Sequence, residues 1–341
     1  MASADRVLYL RTSGGFFRAE ERGGEYEPTL LGLTDRGGIR YPIVVDCGDP
    51  RLLFAGTGRA GVFRSEDAGE TWHEINEGIV YKEIWSLAQH PRTGELIAGT
   101  GPATVFKSRN RGETWTECER FKSVPTTREW SFPRPPHVAH TKGLSLYADD
   151  PSLIYASVEE GWAMRSRDAG ETWENLKENL EFDLHYIYVM PDDPTIVLAT
   201  SGHGFYRSCD GGDTWTESED GLDFHYFAPL AFHPAHPQVL FTAAASTPPP
   251  GWRRPEGAEG GFYRSEDRGQ SWRRLRGGLP ERLPAAPRAL ASDPEDTNAF
   301  LVGMTAGSVW MTPDGGESFR EILSGLPDVS GITVTHRGSA R

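Results

Sequence analysis

Short apolar runs alternate with turn residues along the whole chain. Residues 7–10 and 15–18 open the series, and 40–45, 52–56 and 61–65 follow. Comparable runs return at 85–88 and 96–99, at 144–147 and 154–157, and at 185–189 and 196–199. Two more units extend from Phe227 to Trp272 and from Ala289 to Phe319. Runs this short, rich in β-branched and aromatic residues and bounded by Gly, Pro and Asp, predict strands. One run, 332–335, is left over near the C-terminal end, while the first unit lacks a leading strand. The leftover run is expected to pair beside the N-terminal strands and close a ring, removing the open edges of a linear array.

A repeated motif stands between the third and fourth run of each unit. It reads Ser65, Asp67, Gly69, Thr71, Trp72 and recurs as Ser108, Asn110, Gly112, Thr114, Trp115. It returns from Ser166 to Trp173, from Ser208 to Trp215 and from Ser265 to Trp272. A looser copy runs from Thr312 to Phe319, and a nearly eroded one from Ala19 to Tyr26. Short Ser and Asp side chains hydrogen-bond nearby backbone in turns, Gly accepts a positive φ, and Trp fills the gap between neighbouring sheets. Seven equivalent turns cannot all be active sites, so these carboxylates read as turn reinforcement rather than as catalysts or calcium ligands.

The pattern resembles the Asp-box, or BNR repeat, of sialidase-like β-propellers, and the resemblance covers essentially the whole chain. Sialidases, xyloglucan-active glycoside hydrolases, sortilin-type receptors and a photosystem II assembly factor carry such repeats, so the likeness implies a fold and leaves the function open. The expected architecture is all-β, a seven-bladed β-propeller of four-stranded antiparallel blades. It is expected to form a single domain over 1–341, since repeats of roughly 40–60 residues account for the length. For a sialidase the resemblance implies an arginine trio, a Tyr–Glu nucleophile pair, an acid Asp and an aromatic-Arg-Ile-Pro motif. Ile39-Arg40-Tyr41-Pro42 is a faint version with Tyr in place of Ile, the other parts have no clear counterpart, and sialidases have six blades.

A net charge of −14 argues against a nucleic-acid or anionic-membrane surface. Cys47, Cys118 and Cys209 are odd in number and lack metal-type spacing, which suits reduced thiols in the cytoplasm. The N-terminal stretch has no signal-peptide pattern, and no apolar run approaches the length of a membrane span.

Two intervals between motifs exceed the rest. The first excess lies at 117–140, between the last strand of one blade and the first of the next. The second lies at 246–260, between second and third strands. In up-and-down blades both connections emerge opposite the Asp-boxes, where long loops on a rigid scaffold carry binding sites. The innermost strands begin on that same rim and are unusually polar there. His140, His185 and His225 form a candidate site for one divalent transition metal, with Glu159 or His203 nearby. A metal-free alternative uses Glu159 or Glu160 as acid or base, with Lys142 and Tyr186 as further catalytic candidates. Arg40, Arg288, Trp130, His203 and Tyr226 are the candidate substrate-binding residues. The leading expectation is a hydrolase or lyase, with or without metal assistance, acting on a polar or carbohydrate-like small molecule in the central funnel. The alternative is a protein-binding or assembly propeller, with Trp130, Trp252 and the Pro-rich loops as anchors.

Overall fold

The computed structural model describes residues 6–34, 43–252, 259–283 and 285–337. They form seven antiparallel sheets, and the fold is a seven-bladed β-propeller. By contacts the chain divides into two compact units, one of residues 35–217 and one of residues 1–34 with 218–340.

The first unit holds blades 2 to 5. Blade 2 consists of Val44–Val45, Leu53–Gly56, Val62–Ser65 and His73–Glu74. Blade 3 is Glu83–Gln89, Leu96–Gly101, Val105–Ser108 and Thr116–Glu117. Blade 4 is His140–Leu146, Ile154–Glu159, Trp162–Ser166 and Glu174–Leu176. Blade 5 is Leu184–Met190, Asp193–Ser201, Phe205–Ser208 and Thr216–Glu217. The first strands of blades 3, 4 and 5 lie side by side.

The second unit holds blades 6, 7 and 1. Blade 6 has a first strand split into Tyr226–Phe227 and Ala231–Phe232, followed by Leu240–Ala245, Gly260–Ser265 and Arg273–Leu275. Pro229 falls in the split, where it has no N–H to give the ladder. Blade 7 is Pro287–Ser292, Phe300–Met304, Val309–Thr312 and Arg320–Leu323. Blade 1 combines the C-terminal strand Val329–His336 with Arg6–Thr12, Gly15–Arg22 and Glu25–Leu30, so the expected closing pairing is present. A buried ionic cluster reinforces it: Arg6 Nε donates to Asp293 Oδ2 (2.5 Å) and His336 Nε2 lies 2.7 Å from Asp293 Oδ1.

The Asp-boxes show why their sequence recurs. Gly69 N donates to Ser65 Oγ, which in turn donates to Asp67 Oδ1, while Thr71 N and Oγ1 donate to the two Asp67 oxygens. The boxes of blades 4 to 7 repeat this set at Asp168, Asp210, Asp267 and Asp314. In blade 3 Asn110 Nδ2 donates to Thr114 Oγ1 instead. Two successive residues are left-handed in each box, as at Ala68 (φ 61°) and Gly69 (φ 95°), so the conserved spacing of Gly follows from backbone geometry. In blade 1 the eroded copy is a two-residue hairpin through Gly23 and Gly24, both at positive φ, which needs no Ser–Asp scaffold.

The boxes of blades 3, 5 and 7 also lock onto the blade before them. Trp115 N donates to Glu77 O and its indole to Ile75 O; Trp215 N donates to Glu178 O, and Phe319 N to Gly277 O. The basic residue before the box Ser reaches forward, as Lys107 does to Ala169 O, Arg165 to Gly211 O and Arg264 to Gly315 O. The insertion at 117–140 alters one junction. Its two 3-10 turns, Glu119–Ser123 and Pro125–Glu129, bury Phe121, which meets Trp173 edge-on at 4.9 Å.

Candidate functional site

Blade 4 places its polar residues at the end opposite its box. His140 opens the first strand and Glu159 ends the second, directly across the ladder from one another. His140 Nε2 donates to Glu159 Oε2 at 2.5 Å. The register slips between Thr141 and Gly143, so Lys142 is the extra residue of a bulge, and its ammonium donates to Glu159 Oε1 at 2.7 Å. The same slip occurs early in the first strands of blades 3, 5 and 7, where the extra residues are Trp85, His185 and Arg288. Bulges re-aim side chains beside functional sites, and here four blades use one at the same place.

Within the first unit these residues converge. His185 Nε2 lies 4.0 Å from Glu159 Oε1 and 3.8 Å from Asp183 Oδ1. One oxygen each of Glu159 and Asp183 and one His185 nitrogen all fall within 4.8 Å of one another. Trp85 stacks on His140 with 3.2 Å between ring centroids and 16° between planes, and Phe132 meets His140 edge-on. The insertion builds the adjoining wall: Ser131 N donates to Glu160 O, and Trp130 packs on Phe121.

The two carboxylates are driven apart electrostatically. Burial pushes Glu159 upward, but the Lys142 charge and the His140 hydrogen bond pull harder and hold it well below the usual carboxylate range. Burial raises Asp183, Lys142 opposes, Glu159 adds to the rise, and the net shift is upward. Glu160 is also raised, by burial and then by the charges of Asp183 and Glu159.

Comparison with known proteins bears on the fold. The Sortilin-Vps10 family model ("Sortilin, neurotensin receptor 3") matches residues 161–277. No curated protein matches the chain. Among solved structures, the GH74 xyloglucanase from Xanthomonas campestris superposes with a TM-score of 0.70 at 20% identity, covering 99% of this chain and 53% of that one. The Niastella koreensis GH74 enzyme gives 0.65 at 16% identity, covering 84% and 45%. YCF48 bound to D1 peptide gives 0.55 at 13% identity, covering 89% and 91%. The chain therefore spans about half the length of these GH74 structures. What the chain shares with these structures is the β-propeller fold.

Of the residues expected to form the propeller's site, His140, Lys142, Glu159 and His185 come together, and Asp183 joins them. Its only sequence signal was the near-repeat of residues 183–186 at 223–226. Tyr186 is half-buried beside Tyr188, and His203 is exposed in the turn after Ser201, near enough for its charge to act on Asp183. Trp130 is half-buried in the wall. His225, Tyr226, Trp252 and Arg288 belong to the other unit. His225 Nδ1 lies 3.1 Å from Glu219 and the side chain is half-exposed. Trp252 donates its indole N–H to Thr247 O, meets Tyr226 edge-on and lies under the Arg288 guanidinium, which is paired with Asp328. Trp252 is thus tied into its own blade. Arg40 lies outside the described residues. Among the described residues no helix is long and apolar enough to cross a membrane.

Proposed function

We propose that this propeller is a hydrolase or lyase acting on a polar, carbohydrate-like small molecule at the Glu159–Asp183 cluster. The observation that carries the reading is the convergence, from two consecutive blades, of two carboxylates within 4.8 Å with a lysine and two imidazoles around them. Cleavage of glycosidic bonds uses such a pair, about 5–5.5 Å apart when the second carboxylate attacks and wider when it activates water. The spacing here lies on the short side. Asp183, the more exposed of the two, is the proton-transfer group, and Glu159, held ionised by Lys142 and His140, stabilises developing positive charge. Tyr186 and His203 flank the substrate, and Trp130 backs the site. The GH74 structures are glycoside hydrolases by name and share the fold, which supports the substrate class without naming a substrate.

The test is turnover of a panel of aryl glycosides and soluble polysaccharides by the wild type and by Asp183→Asn. The expected result is hydrolysis or elimination by the wild type, with kcat reduced by about 10²–10⁴ in the variant. Full activity in Asp183→Asn, or no turnover across the panel, would overturn the reading. The second reading is a binding propeller, favoured by the likeness to peptide-bound YCF48, a protein of nearly the same length. Peptide capture abolished by substitutions beside the cluster, in the absence of turnover, would select it.

A further inference from the structure

We infer that Glu159, Asp183 and His185 together bind a divalent transition cation. The reading uses the same cluster as the proposed reaction but stands on geometry alone, independently of any turnover. His185 Nε2 is 3.8 Å from Asp183 Oδ1 and 4.0 Å from Glu159 Oε1, and the three donor atoms lie within 4.8 Å of one another. Ligand bonds of about 2.0–2.2 Å require only that each side chain close in by several tenths of an ångström. One imidazole and two carboxylates suit zinc, manganese or iron better than the oxygen-only sets that hold calcium or magnesium. Three protein ligands leave a position for water or substrate.

The donors are held for this task. His185 is the extra residue of a bulge and is buried. Its backbone carbonyl accepts from Ser157 Oγ, which fixes the strand across the blade junction. His140 donates to the far oxygen of Glu159, an outer contact of the kind that orients carboxylate ligands. Lys142 Nζ sits on the near oxygen, Glu159 Oε1, where it serves as an internal cation. This donor set differs from the three histidines expected from sequence. His140 Nε2 is committed to Glu159, and His225 Nδ1 faces Glu219. A bound cation would supply an acidified water beside the carboxylates, with Asp183 then serving as ligand.

The experiment titrates the full chain, stripped with chelator, with cobalt(II) chloride. It is followed by calorimetry and by visible absorption, without substrate. One cobalt per chain is expected, with the d–d bands of a mixed nitrogen–oxygen site. Asp183→Asn and His185→Ala should each weaken binding by about 100-fold or more, beyond the cost of losing a supporting residue. Lys142→Met should tighten it, because a competing ammonium is gone, and His225→Ala should leave it unchanged. If burial makes His185→Ala fail to fold, the near-isosteric Asp183→Asn still decides. The absence of saturable binding in both wild type and Lys142→Met overturns the inference, as does binding that survives Asp183→Asn or vanishes in His225→Ala. A protein that turns over glycosides yet binds no cobalt leaves the proposed function intact and removes this site; one that binds cobalt but shows no turnover does the reverse.

Discussion

The Asp-boxes and the Glu159 cluster both gather carboxylates, hydroxyls or amines, and backbone into tight sets, yet they are built on opposite plans. Each box draws its core partners from within four residues, as Asp67 does from Ser65 and Thr71, and the set is copied from blade to blade. The Glu159 cluster draws its partners from across a ladder and from the next blade, and among the described residues no other blade copies it. Local, repeated satisfaction reinforces a turn. Non-local, unrepeated satisfaction assembles a site, and its members are interdependent.

Substitutions test that contrast. The largest effect is expected from Glu159→Ala, which removes the carboxylate that Lys142 and His140 both donate to, in a place where Glu159 itself is 12% exposed. Breaking a buried pair in this way costs about 3–5 kcal/mol, read as a lower midpoint in urea unfolding. A loss under 1 kcal/mol would show that water replaces the carboxylate freely.

A smaller effect is expected from Ser208→Ala in the blade 5 box. Ser208 Oγ accepts from Gly212 N and donates to Asp210, and the residue is 1% exposed. Removing it orphans one buried N–H, at a cost of about 1–3 kcal/mol.

The smallest effect appears only in acid. Hydrogen bonds from Thr71 hold Asp67 down to about 2, and Asp210 reaches about 2 because the Thr214 bonds outweigh the partial burial that raises it. Folded values below the unfolded one add stability that is present above about pH 4 and lost as pH falls through about 2. A double variant, Asp67→Asn with Asp210→Asn, should keep nearly the wild-type urea midpoint at pH 7, since Asn110 already serves in blade 3. Its stability should decline less between pH 4 and pH 2. An unchanged pH dependence would place acid sensitivity in the Glu159 cluster instead.

The repeat, the blade order and the closing strand were legible because each is written in local sequence: Ser, Asp, Gly and Trp at fixed spacing, then one unpaired apolar run. The polar first-strand residues were legible as a group for the same reason. Their arrangement was not. Nothing at Lys142 or His185 announces a bulge, because the slip arises from pairing with residues near 157–159 and 200–201. Asp183 and Asp223 look alike in sequence, since residues 183–186 nearly repeat at 223–226, yet Asp223 is spent on a salt bridge to Arg274 while Asp183 faces His185. The forward reach of Lys107, Arg165 and Arg264 was hidden too, since a basic residue on an exposed strand edge reads as surface. The insertion at 117–140 was visible only as extra length, and its role as a wall depends on where Phe121 and Phe132 dock.

Blade 1 is stitched from both ends of the described chain, Arg6 facing His336 across the ladder. During translation the strand Arg6–Thr12 emerges early and must wait, its edge exposed, until Val329–His336 leaves the ribosome. Among the described residues this strand pairing has the longest sequence separation, so it belongs to the slow part of folding. Asp293 and Asp296, which gather on Arg6 with Glu21, are made almost as late as the closing strand, so the ionic cluster and the ladder come within reach of Arg6 at nearly the same point in synthesis.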